Sequence, residues 1–221
     1  MGGVTADSSV AAPQGPDGSP AAVPGSARSL SGEKAQRIIE AMRRSVARRG
    51  TAGSTFDHVS REAGVSRGLL HYYFGTKEQL LVEAVRRDCE LRMEMLQRQL
   101  ATAQSADAFI DLMAQNLQQT VREDPDFVTL IFELFTLSRR NADIAMEYAE
   151  LMRGTREQVA GMLRAGQRDG ILRLHADPEA VAEILFSLAD GFAMRMLAEP
   201  ERDFGATVEA GIACARALLT D

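Results

Sequence analysis

Residues 55–81 read TFDHVSREAGVSRGLLHYYFGTKEQLL, and this stretch decides the fold of the N-terminal part of the chain. Its pattern predicts two short helices, one over residues 56–63 and one from Ser66 to about Tyr73. Between them, Gly64 is typical of a helix stop and Ser66 of a helix N-cap. Two short helices joined by such a turn form a helix-turn-helix unit, the arrangement that places its second helix in the major groove of DNA.

The rest of the chain also shows a helical period. One helix is expected upstream, from Ser31 to Gly50, and a long helix opens downstream at the capping box of residues 76–79. No segment alternates convincingly with period two, so the pattern predicts an all-α fold. Five further helices are expected at about 105–122, 127–137, 142–169, 178–199 and 203–219.

The composition excludes several classes of protein. Cys89 and Cys214 are far apart in the 221 residues, so we expect a reducing compartment, no disulfide framework and no zinc module. No run approaches the roughly 18 apolar residues of a membrane span, and no secretory signal is visible, so we expect a cytoplasmic location. We expect no cofactor, no metal and no enzyme activity, because no phosphate loop is present and no metal spacing connects His58, His71 and His175.

Composition and net charge differ between three parts of the chain. Residues 1–30 are rich in Gly, Pro, Ala and Ser, which predicts a disordered tail. Residues 28–77 hold ten lysines or arginines against four acidic residues, a net charge of +6. Residues 78–221 hold 15 basic and 25 acidic residues, a net charge of −10. A basic segment on an acidic body predicts a surface that faces a polyanion.

Residues 31–81 resemble the DNA-binding domain of TetR-family transcriptional regulators, with matches at the turn, the aromatic cluster and the lysine that opens the fourth helix. The resemblance implies a three-helix helix-turn-helix DNA-binding domain over residues 31–76 and a helical ligand-binding and dimerisation domain over residues 77–221. Within the second domain, RAGQRDGILRLHADPEAVAEILFSLADGF (residues 164–192) is similar to the C-terminal domain of choline-responsive repressors and their relatives.

The same resemblance implies which side chains face DNA. Arg67 is expected either to read guanine or to pair with a phosphate, and Gly68 to permit close approach. Leu69 is expected either to contact a thymine methyl or to pack inside the head. His71 stands where the family most often has tyrosine, and hydrogen bonding within the head is its alternative. The expected DNA-binding residues are Thr55, Ser66, Arg67, Gly68, Leu69, His71, Tyr72, Tyr73 and Lys77.

The last two helices are apolar on two faces, and a helix of this kind must be covered on two sides. The alternatives are a deep core within one chain and a four-helix bundle made by two subunits. We favour the bundle because a two-headed protein on palindromic DNA requires a two-fold axis. The expected dimer interface consists of Phe186, Ala189, Ala193, Leu197, Val208, Ile212 and Ala215.

Polar side chains on apolar stripes of the body predict a ligand cavity, with bonding between helices as the alternative. Glu133 instead falls on a polar stripe of its helix and is expected to be solvated. The expected cavity residues are Phe109, Met113, Asn116, Tyr148, Met152 and Thr155.

These patterns together predict a sequence-specific DNA-binding transcriptional regulator. We expect a homodimer on palindromic double-stranded DNA, acting as a repressor that a small-molecule effector releases, with no membrane partner. Two alternatives stay open. One is a constitutive DNA-binding protein without an effector, and the other is a small-molecule-binding helical bundle or enzyme whose basic head serves only for solubility.

Overall fold

The computed structural model describes residues 32–220. Within that range the chain forms nine helices and no strand, which confirms the all-α class, and the helix ends differ from the expected ones by only a few residues. The predicted disordered tail, residues 1–30, lies outside the described residues. The helices are α1 Gly32–Gly53, α2 Phe56–Ala63, α3 Arg67–Phe74, α4 Lys77–Leu100, α5 Ala106–Glu123, α6 Pro125–Ser138, α7 Ala142–Arg168, α8 Pro178–Ala198 and α9 Gly205–Leu219.

Side-chain caps fix the starts of the helices in the N-terminal head, which consists of α1–α3 and the start of α4. The hydroxyl oxygens of Thr55, Ser66 and Thr76 each accept a hydrogen bond from a backbone N–H three residues later, at 3.3, 3.2 and 3.1 Å. Gly64 ends α2 with φ of 67°, a left-handed conformation that glycine adopts without strain. The caps and the glycine therefore set the turn between α2 and α3.

The core of the head is continuous with part of the body. Fully buried side chains from α1–α4 pack together with Leu130 and Leu134 of α6 and with Ile144 of α7. The division after residue 76 falls at the start of α4, but the packing crosses it, so the domain boundary stays a prediction. The buried side chains of the head include Ile38, Met42, Val59, Leu70 and Leu81.

A second core lies among α4, α5, α7, α8 and α9 and includes Ile110, Leu163 and Leu219. Its outer helices are poorly covered within one chain. Of α8, only Val181, Ala182 and Ala193 are buried, and of α9 only Leu219. No helix between residues 32 and 220 combines the length and apolar character that crossing a bilayer requires.

Candidate DNA interface and internal cavity

Helix α3 presents one face to solvent and anchors the other. Leu70 is completely buried in the core of the head. Ser66, Arg67, Gly68 and Tyr72 are exposed, and Tyr72 is the most accessible large apolar side chain of the helix at 61%. The expected DNA-binding residues of α3 therefore include an exposed row that starts at the helix N-terminus.

Arg67 pairs with Asp57 of α2, with Nη1 3.3 Å from Oδ1, and its Nε lies 3.3 Å from Nε2 of His71. Both side chains of the ion pair are 60% exposed. An exposed pair of this kind contributes only about 0–1 kcal/mol. Arg67 can therefore exchange Asp57 for a phosphate or a base edge at small cost.

His71 and Leu69 both make contacts within the head. The His71 ring packs edge-on against Phe56 with centroids 4.7 Å apart, and its Nδ1 lies 3.2 Å from the carbonyl oxygen of Gly75. Leu69 is half-buried against the core. The expected alternatives for these residues, hydrogen bonding and packing within the head, are confirmed, and contact with DNA stays a prediction for both.

The remaining predicted DNA-binding residues differ in the contacts that they make within the protein. Lys77 donates from Nζ to the carbonyl oxygen of Thr51 at 2.9 Å, so the protein itself supplies a partner for this lysine at a helix N-terminus. Tyr72 and Tyr73 are perpendicular to each other with ring centroids 5.1 Å apart. A Cβ added to Gly68 would meet nothing within 4 Å, so the isolated chain does not require glycine there.

The positive charge of the head is only partly available to a partner. Arg44 is paired with Glu62 at 2.5 Å and with Glu40 at 3.3 Å, and Arg43 faces the body. The prediction of a surface that faces a polyanion therefore rests on the basic side chains of the head that remain unpaired. The basic side chains of the head that have no ion pair within residues 32–220 are Lys34, Arg37, Arg48, Arg49 and Arg61.

A partly buried ionic network joins the head to the body. Arg43 of α1 contacts Asp124 at 2.5 Å, and its Nε lies 2.8 Å from Oδ2 of Asp88, although the angles of that contact are not those of a hydrogen bond. Asp124 also accepts a short contact from Arg92, whose guanidinium lies 4.0 Å from the centre of the Phe127 ring. Desolvation raises the pKa of Asp88 to about 6, against the opposing effect of Arg43.

Glu133 makes a second connection between head and body. Its carboxylate accepts hydrogen bonds from the backbone N–H of Thr51, at 3.1 Å, and from the Thr51 hydroxyl. Gly50, with φ of 65°, places Thr51 at this position. The prediction that Glu133 is solvated is wrong, because its carboxylate binds Thr51 near the end of α1.

The body contains a cavity of about 340 Å³ that is partly open to solvent. Five of the six expected residues line it, namely Met113, Asn116, Tyr148, Met152 and Thr155. Phe109 does not, because it is 2% exposed and belongs to the second core. The Thr155 hydroxyl donates to the Leu151 carbonyl oxygen of its own helix at 2.9 Å. Among the lining residues that the sequence did not indicate are Arg92, Phe127, Phe132, Arg156, Glu183 and Phe186.

Of the seven expected interface residues of α8 and α9, Ala193 is buried within its own chain and the other six are partly exposed. Ala193 is 6% exposed, and Phe186, Ile212 and Ala215 pack against the second core. Ala189 and Val208 line cavities, and Leu197 packs near Val121 and Val128. The exposed side of the same two helices instead carries Ile184, Met194 and Cys214.

Within residues 32–220, no group of three or more His, Cys, Asp or Glu side chains is arranged to hold a metal ion. Cys89 lines the cavity, and burial raises the pKa of its thiol to about 12. The thiol therefore stays protonated at neutral pH and is a weak nucleophile.

Comparison with known proteins gives two family matches. Residues 38–84 match the model for bacterial regulatory proteins of the tetR family. Residues 106–220 match the model for the C-terminal part of BetI-type transcriptional repressors, which alone covers more than half of the chain.

Individual relatives agree with these matches. The chain is 25% identical over 175 residues to the HTH-type transcriptional regulator PksA of Bacillus subtilis, covering 77% of this chain and 82% of that protein. It is 26% identical over 161 residues to the HTH-type transcriptional regulator BetI of Rhizobium meliloti, covering 72% and 75%. A transcriptional regulator from Saccharomonospora viridis, solved in complex with choline, has the same fold, with a TM-score of 0.69 at 23% identity over 86% of this chain and all of that one.

Proposed function

The chain belongs to the TetR family of bacterial regulatory proteins, and we propose that two copies of it bind a palindromic operator and leave it when a small molecule fills the cavity. DNA binding and transcriptional regulation are what its relatives are named for. The observation that carries the proposal is the exposed face of α3, on which Arg67 and Tyr72 stand clear of the core. A regulator of this kind acts in the cytoplasm by binding DNA and not by catalysing a reaction.

Arg67 is the side chain through which α3 reads the duplex. It lies at the first position of α3, where side chains and free backbone N–H groups meet phosphates and base edges. Its only ionic partner among residues 32–220 is the exposed Asp57. Tyr72, Tyr73 and the hydroxyl of Thr55 then contact the sugar–phosphate chains beside the groove.

The test uses duplexes selected from a random pool by the wild-type protein, with the dissociation constant measured at several salt concentrations. We expect affinity to fall steeply as salt rises, because phosphate contacts release counterions. Arg67→Ala should weaken binding by about 1–3 kcal/mol. Arg98→Ala is the matched control, because it removes the same charge from an exposed position near the far end of α4. Unchanged affinity in Arg67→Ala would remove this residue from the interface.

The second copy binds through the exposed sides of α8 and α9. Ile184 and Met194 are 48% and 55% exposed on a helix that is otherwise rich in apolar residues. Covering them with the same surface of a partner buries apolar area and creates the two-fold axis that a palindrome requires. In this arrangement the cavity-facing residues of α8, such as Phe186, lie beneath the interface.

Release works through α6. This helix contributes Phe127 and Phe132 to the cavity wall, and Asp124 at its N-terminus contacts Arg43 of the head. A ligand that displaces this wall changes the position of α1 relative to the body. A coupling of about 1–3 kcal/mol between the two sites is typical of allosteric proteins. The choline complex of the Saccharomonospora viridis protein supports a small-molecule effector in this fold.

A further inference from the structure

The end of α1, residues 50–54, is held in place by side chains of the head itself. The Ser54 hydroxyl donates to the carbonyl oxygen of Gly50 at 2.9 Å, and the Ser45 hydroxyl donates to that of Ser54 at 3.0 Å. Ser45 and Ser54 have no solvent exposure, and Thr51 between them is 9% exposed. Buried hydrogen bonds that are connected in this way make a segment rigid. Residues 50–54, which we call the Thr51 segment, therefore move as one unit.

The body and the head contact the Thr51 segment through different atoms of one residue. Glu133 of α6 accepts hydrogen bonds from the Thr51 backbone N–H, at 3.1 Å, and from the Thr51 hydroxyl. Lys77, the first residue of α4, donates from Nζ to the Thr51 carbonyl oxygen at 2.9 Å. The contacts do not compete, so Thr51 connects a carboxylate of the body to an ammonium of the head.

Lys77 keeps the capacity to bind a phosphate while it contacts Thr51. Its side chain is 28% exposed, and the Glu78 carboxylate lies 3.9 Å from Nζ, beyond hydrogen-bonding distance. An ammonium has three N–H donors, and the contact with Thr51 uses one of them. The lysine stem is flexible, so the Thr51 carbonyl restricts where the charge lies. A side chain that is already ordered loses less entropy when it binds.

The helix that carries Glu133 also forms part of the cavity wall. Ile131 and Phe132, the two residues before Glu133, line the cavity. Leu134, the residue after it, is completely buried in the core that the head shares with the body. A displacement of α6 therefore changes the position of the Glu133 carboxylate relative to the Thr51 segment.

We propose that Glu133 is a positioning residue for DNA binding, which holds the Lys77 ammonium, through Thr51, where it meets a phosphate of the operator. This inference rests on the proposed function and adds a phosphate contact whose geometry depends on α6. The contact between Asp124 and Arg43 acts on α1. Glu133 acts instead on one charge of the DNA-binding surface, and a ligand that moves α6 withdraws that charge.

The test is a double-mutant cycle on a duplex selected by the wild type, with Kd measured over a range of salt concentrations. Lys77→Met removes the charge and should weaken binding at least about tenfold, because a charge-assisted hydrogen bond is lost. It should also reduce the slope of log affinity against log salt by about 0.9 for each head that is bound. Glu133→Ala should weaken binding at least about fivefold in the wild type but less than about twofold in Lys77→Met. In the wild-type background it should reduce the slope as well.

The sign of the effect separates position from charge. Glu133→Ala removes a negative charge, which by long-range electrostatics alone would tighten the binding of DNA. Glu94→Ala, at an exposed position of α4, removes the same charge and is the matched control, which should not weaken binding. Glu133→Gln keeps an acceptor oxygen for Thr51, so its affinity should lie between those of the wild type and Glu133→Ala.

Equal fold losses from Glu133→Ala in the two backgrounds, or an unchanged salt slope, would overturn the proposal, because a purely structural role does not depend on Lys77. Circular dichroism checks that each variant is folded, and Glu133→Gln takes the place of Glu133→Ala in the cycle if the latter unfolds. A wild type that binds no duplex refutes the proposed function together with this assignment. A wild type that binds the duplex without coupling between Glu133 and Lys77 refutes the assignment alone.

Discussion

The head and the α8/α9 end of the molecule bury their apolar side chains in opposite ways. In the head, helices that carry many charges still bury Ile38, Val59 and Leu70 completely. Helices α8 and α9 are far more apolar, yet α9 buries only Leu219 and α8 leaves Ile184 about half exposed. The apolar side chains of the head are covered within one chain, whereas in the proposed function a second copy covers the exposed ones of α8 and α9.

The largest expected effect is in the core of the head. Leu70→Ala should lower the free energy of unfolding by about 2–5 kcal/mol, because it leaves a cavity at a site with no solvent exposure. Urea denaturation measures this effect. Leu91→Ala, at a position 36% exposed on α4, is the matched control and should cost well under half as much. Equal losses in the two variants would contradict the contrast between a closed head and a looser body.

The next effect is at the junction between the two regions. The pKa of Asp88 is about 6 in the folded protein, against an ordinary value of 3.8. The protonated carboxyl therefore stabilises the folded state below pH 4, and this contribution is lost as the pH rises through 6. Because asparagine does not ionise, Asp88→Asn does not lose stability in this way as the pH rises. Between pH 4 and pH 8 the variant should therefore gain about 3 kcal/mol relative to the wild type.

Urea denaturation at several pH values measures this difference, and Asp111→Asn, at an exposed position of α5, is the control. A constant difference between Asp88→Asn and the wild type across the range would show that the carboxyl is not desolvated.

The third effect tests the opposite end. Met194→Asp places a charge on the exposed face of α8 and should weaken the dimer by at least about 2 kcal/mol, roughly thirtyfold in Kd, because the residue occurs twice in a symmetric interface. Analytical ultracentrifugation measures the dissociation, and the helical content should not change. Met146→Asp, at a position 66% exposed on α7, should leave the dimer intact. Dissociation by both variants would place the interface elsewhere.

The smallest effect concerns the contact between Glu133 and Thr51. Glu133→Gln replaces a charged acceptor with a neutral one and should destabilise the protein by about 1 kcal/mol. It should also reduce the change in DNA affinity that a cavity ligand causes, because α6 then holds α1 less firmly. Glu94→Gln, at an exposed position of α4, is the control for both measurements. An unchanged ligand response would mean that the coupling between cavity and head depends on Asp124 alone.

The sequence predicted the helices well because their signals are local. A cap such as Ser66 or a stop such as Gly64 acts on its own turn, and the structure confirms both. The polar stripe of α6 has the same local appearance whether it faces water or another helix, so the pattern assigns Glu133 to solvent. Its actual partner, Thr51, is 82 residues away in the sequence, and periodicity contains no information about such a pair.

The same limit applies to the two-faced helices and to the cavity. Periodicity identifies two apolar faces on α8, but only packing shows that Ala193 is covered by its own chain and that Met194 is not. Phe109 lies one helical turn before Met113 on the same face of α5, yet it belongs to the second core and does not line the cavity.

Asp124 caps α6 and contacts both Arg43, in the head, and Arg92, in the cavity wall. In the proposed function, one connection between the cavity and the head thus runs through a side chain that does not line the cavity. Over evolutionary time, substitutions at positions such as Met113 or Phe132 can give descendants of this protein new effectors while the transmission to the operator is inherited unchanged.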